Sequence, residues 1–373
     1  MSSSDFYTKT LLGGGLGFAE SYIDGDWDSP DLAELLRVFV RDISVAHKND
    51  RGLARLRDPF LRTAAFVRRN TLRGSRRNIA AHYDLGNEFF ELFLDDTMTY
   101  SSGIFYTPGD SLRNASLNKL DRICRKLRLA PGHHVLETGT GWGSFAIHAA
   151  RNYGCRVTTT TISKRQHEIA KQRIEEAGLA DQVTLLLEDY RNLRGTYDKV
   201  VSIEMIEAVG HDYLGTYLGA CSRLLHPEGQ MLLQVISMPD QRYKSYLRTS
   251  DFIRKHVFPG SCCPSLSALQ NALTESTDMR CVQYEDITPH YVTTLEHWHQ
   301  RYEESIDRVR ELGYPEEFIR MWRYYLSYCM AGFAERYIGV GQMMLNKPGC
   351  REAVELPMIQ SISGGVEDKG SQC

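Results

Sequence analysis

The chain has 373 residues, of which 42% are hydrophobic and 24% are charged, and its formal net charge is −3. This length suits one large domain with a smaller one, and the nearly balanced charge argues against nucleic acid as a partner. No apolar run reaches the roughly 18 residues of a membrane-spanning helix, and the N-terminus lacks the pattern of a secretory signal. The nine cysteines have no metal-ligand spacing, so we predict no metal site and free thiols in the cytoplasm.

The first part of the chain predicts a small, mostly helical domain over residues 1–77. Turn residues at Gly13–Gly15 and Asp24–Asp26 separate short amphipathic pieces, and Pro30 precedes a helix predicted over Asp31–Val40. Nine arginines with interleaved apolar residues lie between Arg51 and Arg77. This basic stretch is either the solvated face of a helix or a surface for anionic lipid headgroups, which would hold the protein peripherally on a membrane.

Strand and helix patterns alternate from Pro131 onward. The predicted strands are His134–Leu136, Arg156–Thr161, Val183–Leu187, Tyr197–Ile203 and Met231–Ile236, and the predicted helices are Ser144–Asn152, Ser163–Ala177 and Tyr213–Leu225. Pro227 and Gly229 are expected to end the last helix. Such alternation indicates an α/β fold with a parallel sheet covered on both faces. Residues 266–344 add one more α/β unit, so the larger domain is placed at 78–348, followed by a polar, disordered tail over 349–373.

One loop carries the strongest signal for a cofactor. The first strand runs into Glu137-Thr138-Gly139-Thr140-Gly141-Trp142-Gly143, and a helix follows. Glycines there let the backbone approach a ligand at a helix N-terminus, but the G-x-G-x-G spacing differs from the G-x-G-x-x-G of dinucleotide sites. The next strand ends at Thr161-Ile162 without the acid that would bind an NAD ribose. After the third strand, Asp189-Tyr190 offers an acceptor and a ring for an adenine base.

Several motifs together resemble those of the cyclopropane-fatty-acyl-phospholipid synthases and mycolic acid cyclopropane synthases. The segments are His82–Phe90, Asp96–Ser101, Glu137–Gly143, Thr161–Gln166, Ser202–Gly210, Phe258–Gly260 and Tyr291–Leu295. The resemblance implies an α/β, Rossmann-like class I S-adenosylmethionine-dependent methyltransferase domain with a smaller, mostly helical N-terminal domain. It also implies transfer of a methyl or methylene group to the double bond of an unsaturated phospholipid acyl chain, with a homodimer left open.

The resemblance assigns residues to two sites. S-adenosylmethionine would be bound by Tyr100, Ser101, Glu137, Gly139, Gly141, Gly143, Thr161, Ile162, Gln166, Asp189 and Tyr190. A bicarbonate ion, acting as the catalytic base, would be held by Ser102, Glu207, Gln234, Ile236 and Tyr291. Gln234 stands where His is common in the family, and glutamine can donate to an anion but cannot carry a proton charge. Glu204, after the same strand as Glu207, is interpreted as either catalytic or structural.

The chemistry implied by the resemblance leaves the product open. Methylation of an alkene leaves a carbocation, which needs aromatic faces around it and a base. Loss of a proton from the new methyl group closes a cyclopropane ring, and loss elsewhere gives a methylene or, after reduction, a methyl branch.

Two other functions stay open at this point. Amine N-methyltransferases also resemble the family, although the segment Tyr22–Asp28 favours a lipid substrate. A non-catalytic cofactor-binding protein is disfavoured by the presence of Glu207 and Tyr291.

Overall fold

The structure is a computed structural model that describes residues 5–46 and 85–354. Its helices are α1 (Asp5–Ile23), α2 (Leu32–Ala46), α3 (Asn87–Glu91), α4 (Leu112–Lys126), α5 (Ser144–Tyr153), α6 (Lys164–Glu176), α7 (Leu214–Leu224), α8 (Asp240–Tyr246), α9 (Leu266–Ser276), α10 (Thr288–Glu304), α11 (Ile306–Glu311) and α12 (Glu316–Ala334). Its strands are β1 (His134–Thr138), β2 (Arg156–Thr161), β3 (Val183–Leu187), β4 (Tyr197–Ile203), β5 (Leu225–Ser237), β6 (Arg280–Asp286) and β7 (Gly339–Asn346). The basic stretch Arg51–Arg77, the motif residues His82–Asp84 and most of the predicted tail lie outside the described residues.

The strands form one seven-stranded sheet in the order β3-β2-β1-β4-β5-β7-β6. The strands β1 to β5 pair in parallel, as the alternating pattern predicts. The sheet is mixed at the other edge, where β7 runs antiparallel to both β5 and β6. The chain re-enters the sheet after α12 from the opposite end, a direction that the apolar pattern of a strand does not encode.

The strand β5 begins earlier than predicted. It follows α7 directly at Leu225 and continues through Pro227 and Gly229, which we expected to separate the helix from the strand. Its pairing with β4 shifts register between Tyr197 and Lys199, so residues 226–229 form a bulge. Bulges and strand edges accept proline because no ladder hydrogen bond is lost there.

The described N-terminal helices pack on α12. The helix α1 contains Gly13–Gly15, which we predicted as a turn, and kinks at Gly14, whose φ is 56°. Tyr22 is buried in a hydrophobic core shared with Tyr324 of α12. Arg320 of α12 donates to the backbone oxygens of Tyr22 and Trp27 at 2.6 and 2.7 Å. These contacts agree with a helical N-terminal region, whereas the predicted boundary at residue 77 lies outside the described residues.

Among the described residues, no helix is both long and apolar enough to span a bilayer. The eight cysteines of this part of the chain are free, as predicted, and five of them are buried. Buried thiols of this kind act as small packing groups.

Candidate active site

A cavity of about 300 Å³ lies where β1 to β5 end. Parallel sheets bind ligands at the carboxyl ends of their strands, where the connecting loops converge. Ten of the eleven predicted cofactor residues line this cavity: Tyr100, Ser101, Glu137, Gly139, Gly141, Thr161, Ile162, Gln166, Asp189 and Tyr190. Gly143 is outside the lining and precedes α5 with a left-handed backbone, φ 88°, near Ala170. The turns after the three strands β1, β2 and β3 therefore meet at one cavity.

The glycine loop after β1 is fitted closely on one side and open on the other. Gly139 has φ 93°, and a side chain there would place its Cβ 2.8 Å from Cγ of Met205. Gly141 also has a left-handed backbone, φ 54°, but no atom lies within 4 Å of the place of a Cβ. The loop therefore leaves space against the wall of the cavity beside Gly141, where a ligand can approach the backbone.

The loops after β2 and β3 present an amide and a ring. Thr161 donates to the Gln166 side-chain oxygen at 2.9 Å, which orients that amide. The Asp189 carboxylate, which we expected to accept from an adenine amine, accepts from Nε and Nη2 of Arg191, both at 2.7 Å. Tyr190 packs edge-on against Tyr217 with ring centroids 5.0 Å apart. Tyr190 is half-buried and lines the cavity, where its ring can contact a ligand, whereas Asp189 already has a partner within the protein.

The other end of the cavity holds two further polar groups, Tyr325 and Lys119, of which sequence reasoning missed Lys119. Tyr325 shares a 2.9 Å hydrogen bond between hydroxyls with Tyr100. Lys119 is fully buried and donates to Ser101 Oγ at 2.8 Å, and burial lowers the pKa of Lys119 to about 8. The signal for Lys119 was present, because Ala115, Lys119 and Ile123 share one face of α4 that is otherwise apolar.

Glu137 ends β1 as a buried acid rather than a solvated one. Its carboxylate accepts from Thr159 Oγ1 at 2.6 Å, across the β1–β2 pair. Burial raises the pKa of Glu137 to about 8, with the Thr159 hydrogen bond and the charge of Lys119 opposing this shift. The group is therefore protonated over part of the neutral range.

Glu204 is the meeting point of three of the five residues assigned to the bicarbonate ion. Its Oε1 accepts from the backbone N–H of Ser102 at 3.0 Å and from Nε2 of Gln234 at 2.7 Å. Its Oε2 accepts from the Tyr291 hydroxyl at 3.0 Å. Glu204 follows β4 with φ 47°, a left-handed backbone that costs a non-glycine residue about 1–2 kcal/mol. The sequence had left its role undecided.

Glu207 and Ile236 form the second half of this cluster. The backbone N–H of Ile236 donates to Glu207 Oε1 at 2.5 Å. The other oxygen, Oε2, is buried and has no hydrogen-bond partner among residues 5–46 and 85–354. Burial and the neighbouring charge of Glu204 raise the pKa of Glu207 to about 8. Glu207 thus carries a proton more readily than an ordinary glutamate does.

These contacts test the fit of a bicarbonate ion. Glu207, Ile236 and Tyr291 line the cavity, whereas Ser102 and Gln234 do not line it and lie beyond Glu204. Three donors expected to hold an anion already point at the Glu204 carboxylate. An added anion would find those donors already occupied, and it would be repelled by the negative charge of Glu204. The residues present therefore do not fit a separate bicarbonate ion.

The remaining wall of the cavity is apolar and aromatic. It includes Ile236, Ile253, Phe258, Leu295, Tyr325, Phe333 and Ile338, and it adjoins Glu204 and Glu207. The two carboxyl groups therefore lie between the strand-end loops and a hydrophobic compartment. Such an arrangement suits a polar cofactor beside an apolar substrate.

Comparison with known proteins identifies the family. Residues 70–343 match the family described as mycolic acid cyclopropane synthetase. The chain belongs to this family. The tuberculostearic acid methyltransferase UfaA1 of Mycobacterium tuberculosis is 38% identical over 341 residues, covering 90% of this chain and 79% of that protein. The cyclopropane-fatty-acyl-phospholipid synthase of Escherichia coli is 34% identical, covering 93% of this chain and 87% of that protein.

Solved structures agree with this assignment. The mycolic acid cyclopropane synthase CmaA1, complexed with SAH and CTAB, is 30% identical and matches with a TM-score of 0.68 over 73% of this chain and 98% of that chain. The predicted class I fold is confirmed, and this chain is an S-adenosylmethionine-dependent methyltransferase that acts on lipid acyl chains.

A solved N-methyltransferase is similar to this chain in fold alone. Coclaurine N-methyltransferase, at 19% identity, has a TM-score of 0.68 over 91% of this chain and 100% of that chain.

Proposed function

We propose that this methyltransferase transfers the methyl group of S-adenosylmethionine to the double bond of an unsaturated acyl chain carried by a phospholipid. The observation that carries this proposal is a single cavity in which the strand-end cofactor residues adjoin an aromatic and apolar wall. The name of the Escherichia coli relative specifies an acyl phospholipid, and that of UfaA1 a fatty acid. The phospholipid is thus the proposed carrier of the acyl chain.

Each end of the cavity has a distinct task in this proposal. S-adenosylmethionine supplies an electrophilic methyl group. Gly139, Gly141 and Gln166 bind the cofactor, and Tyr190 stacks beside its base. The apolar wall excludes water, which would otherwise capture a carbocation on the acyl chain. Aromatic faces such as those of Tyr325 and Phe333 stabilise positive charge developing nearby.

The proposed product is a cyclopropane ring, with a methylene or methyl branch as the second candidate. The ring forms if the transferred methyl group loses a proton while the cation is on the neighbouring carbon. A methylene branch forms if a hydride first shifts along the chain, so that the cation lies on the methylated carbon when the proton leaves; a methyl branch requires a later reduction. Relatives with both kinds of name support keeping the second candidate, since UfaA1 is named a methyltransferase and the Escherichia coli protein a cyclopropane synthase.

The proposal includes peripheral contact with a membrane. The described part of the chain exposes apolar side chains on α1 and α2: Tyr7, Leu11, Leu12, Val38 and Phe39. Leu11 is 86% exposed. Apolar side chains of this kind suit a surface that inserts shallowly among lipid headgroups, and the basic sequence between Arg51 and Arg77 is of a composition that anionic headgroups attract.

The test uses purified protein, S-adenosylmethionine and vesicles of phospholipids with unsaturated chains. We expect release of S-adenosylhomocysteine and a gain of one CH2 in acyl-chain mass, with NMR separating a ring from a methylene. Vesicles with the same headgroup and saturated chains are the control and should give no turnover. Turnover with small amines and none with unsaturated lipid would refute the lipid proposal in favour of an amine methyltransferase.

A further inference from the structure

The carboxylate of Glu204 occupies the centre of the donor cluster between the cofactor loops and the apolar wall. It receives the backbone N–H of Ser102, the amide of Gln234 and the hydroxyl of Tyr291, at 2.7 to 3.0 Å. These donors come from the loop before α4, from β5 and from α10. Three separate elements therefore converge on one side-chain carboxylate, as they would on a bound anion.

The neighbouring strands fix the orientation of this cluster. Gln342 of β7 lies opposite Gln234 of β5 and donates to its side-chain oxygen at 3.0 Å. This contact turns the amide nitrogen of Gln234 toward Glu204. Burial raises the pKa of the Tyr291 hydroxyl well above its ordinary value, so Tyr291 keeps its proton and donates. The Gln234 amide and the Tyr291 hydroxyl are thus both oriented or protonated so that they donate to the Glu204 carboxylate.

The Oε2 oxygen of Glu204 has an acceptor position left over at which it can take up a proton. Oε1 accepts two hydrogen bonds and Oε2 accepts one, although a carboxylate offers about four acceptor positions. Glu204 lines the cavity together with Tyr291, Phe333 and Ile236. Burial raises the pKa of Glu204, and the donated hydrogen bonds oppose that rise. A buried carboxylate of this kind is a stronger base than a solvated one.

We propose that Glu204 is a built-in catalytic base that takes the place of an exchangeable anion in this enzyme. The proposal rests on the proposed function. The carbon–sulfur bond of the cofactor breaks as the methyl group bonds to one alkene carbon, which leaves a cation on the other. A C–H bond then breaks, its electron pair closes the ring or forms a double bond, and the proton passes to Glu204 Oε2. S-adenosylhomocysteine leaves, and the proton returns to solvent when the site opens.

The test compares two substitutions at Glu204 in buffer depleted of bicarbonate. Glu204→Gln keeps the shape but removes the charge. Glu204→Gly suits the left-handed backbone and leaves the three donors facing an empty space. We expect the wild-type protein to keep its full rate without bicarbonate, and both variants to lose about a hundredfold, the usual scale for loss of a general base. Added bicarbonate or formate should restore part of the rate to Glu204→Gly and none to Glu204→Gln.

A second measurement does not depend on turnover. Carbon-13 bicarbonate observed by NMR should show line broadening with Glu204→Gly and none with the wild-type protein. Calorimetry should show that both variants bind S-adenosylmethionine as the wild-type protein does. Glu285→Gln is the matched control, because Glu285 pairs with Arg122 and Lys126 away from the cavity, and its turnover should not change.

Three results would overturn the proposal. The first is that the rate of the wild-type protein falls without bicarbonate and returns when bicarbonate is added. The second is that Glu204→Gln turns over at the wild-type rate. The third is that Glu204→Gly folds but no small anion restores its rate. All three require a wild-type protein that methylates lipid. If it methylates none, the proposed function fails, whereas the NMR comparison still tests whether Glu204 occupies the anion position.

Discussion

The glycine loop after β1 allows a strain effect and a ligand effect to be separated. Gly141 and Gly178 both have left-handed backbones, with φ of 54° and 67°, and neither has an atom within 4 Å of a Cβ position. Substitution by alanine should therefore cost each variant about 1–2 kcal/mol in backbone strain. The two positions differ in one respect, because Gly141 lines the cavity and Gly178 follows α6.

We therefore expect Gly141→Ala and Gly178→Ala to lower the melting temperature by similar amounts, a few degrees at most. Only Gly141→Ala should weaken S-adenosylmethionine binding. Insertion of a methyl group at a packed contact costs about 1–3 kcal/mol, which corresponds to roughly a five- to hundredfold rise in Kd. Titration calorimetry measures the affinity, and scanning calorimetry the stability. Unchanged affinity in Gly141→Ala, or equal weakening in both variants, would refute the placement of the cofactor beside this loop.

Three further predictions follow from buried contacts. Burial raises the pKa of Glu137 from 4.5 to about 8, so its contribution to stability is complete below pH 4.5 and is lost as the pH rises through about 8. Thermal scans across this range should show a melting temperature that declines with pH, and Glu137→Gln should reduce the decline. An unchanged decline in Glu137→Gln would contradict this prediction. Arg320→Ala should lower the free energy of unfolding by about 2–4 kcal/mol, because two charged hydrogen bonds to the backbone of Tyr22 and Trp27 are lost. Denaturant titration measures this change, and Arg308→Ala, which removes a surface ion pair, is the control and should change it by less than about 0.5 kcal/mol. Equal losses in the two variants would argue against the packing of the N-terminal helices on α12. Tyr325→Phe removes the hydroxyl partner of Tyr100 and should lower kcat/KM about fivefold, with a wild-type rate as the contrary result.

The local pattern of the chain was sufficient for most of the sheet. The strands β1 to β4 lie within a few residues of their predicted bounds, because each is a short run rich in apolar or β-branched residues. The direction of β7 was not predictable in this way, since it depends on where α12 delivers the chain. Gly13–Gly15 were predicted as a turn, and they lie at the kink of α1, where Gly14 has a positive φ that glycine adopts without strain.

The candidate site was predictable to the extent that it lies at strand ends. Glycine and polar residues directly after β1, β2 and β3 could be named from the rule that such loops converge. The role of Glu204 could not, because its partners Ser102 and Tyr291 are 102 and 87 residues away along the chain. The contact of Gln342 with Gln234 depends on the antiparallel register of β5 and β7, which no local pattern predicts.

The helix α12 lies between the N-terminal helices on one side and the cavity on the other. Tyr324 faces Tyr22 of the N-terminal helices, and the adjacent Tyr325 lines the cavity and bonds to Tyr100. Any lipid surface that displaces α1 or α2 would therefore also move α12, and with it one wall of the cavity. Removing the first 46 residues would likewise expose the outer side of α12, so the N-terminal helices support the cavity wall from behind.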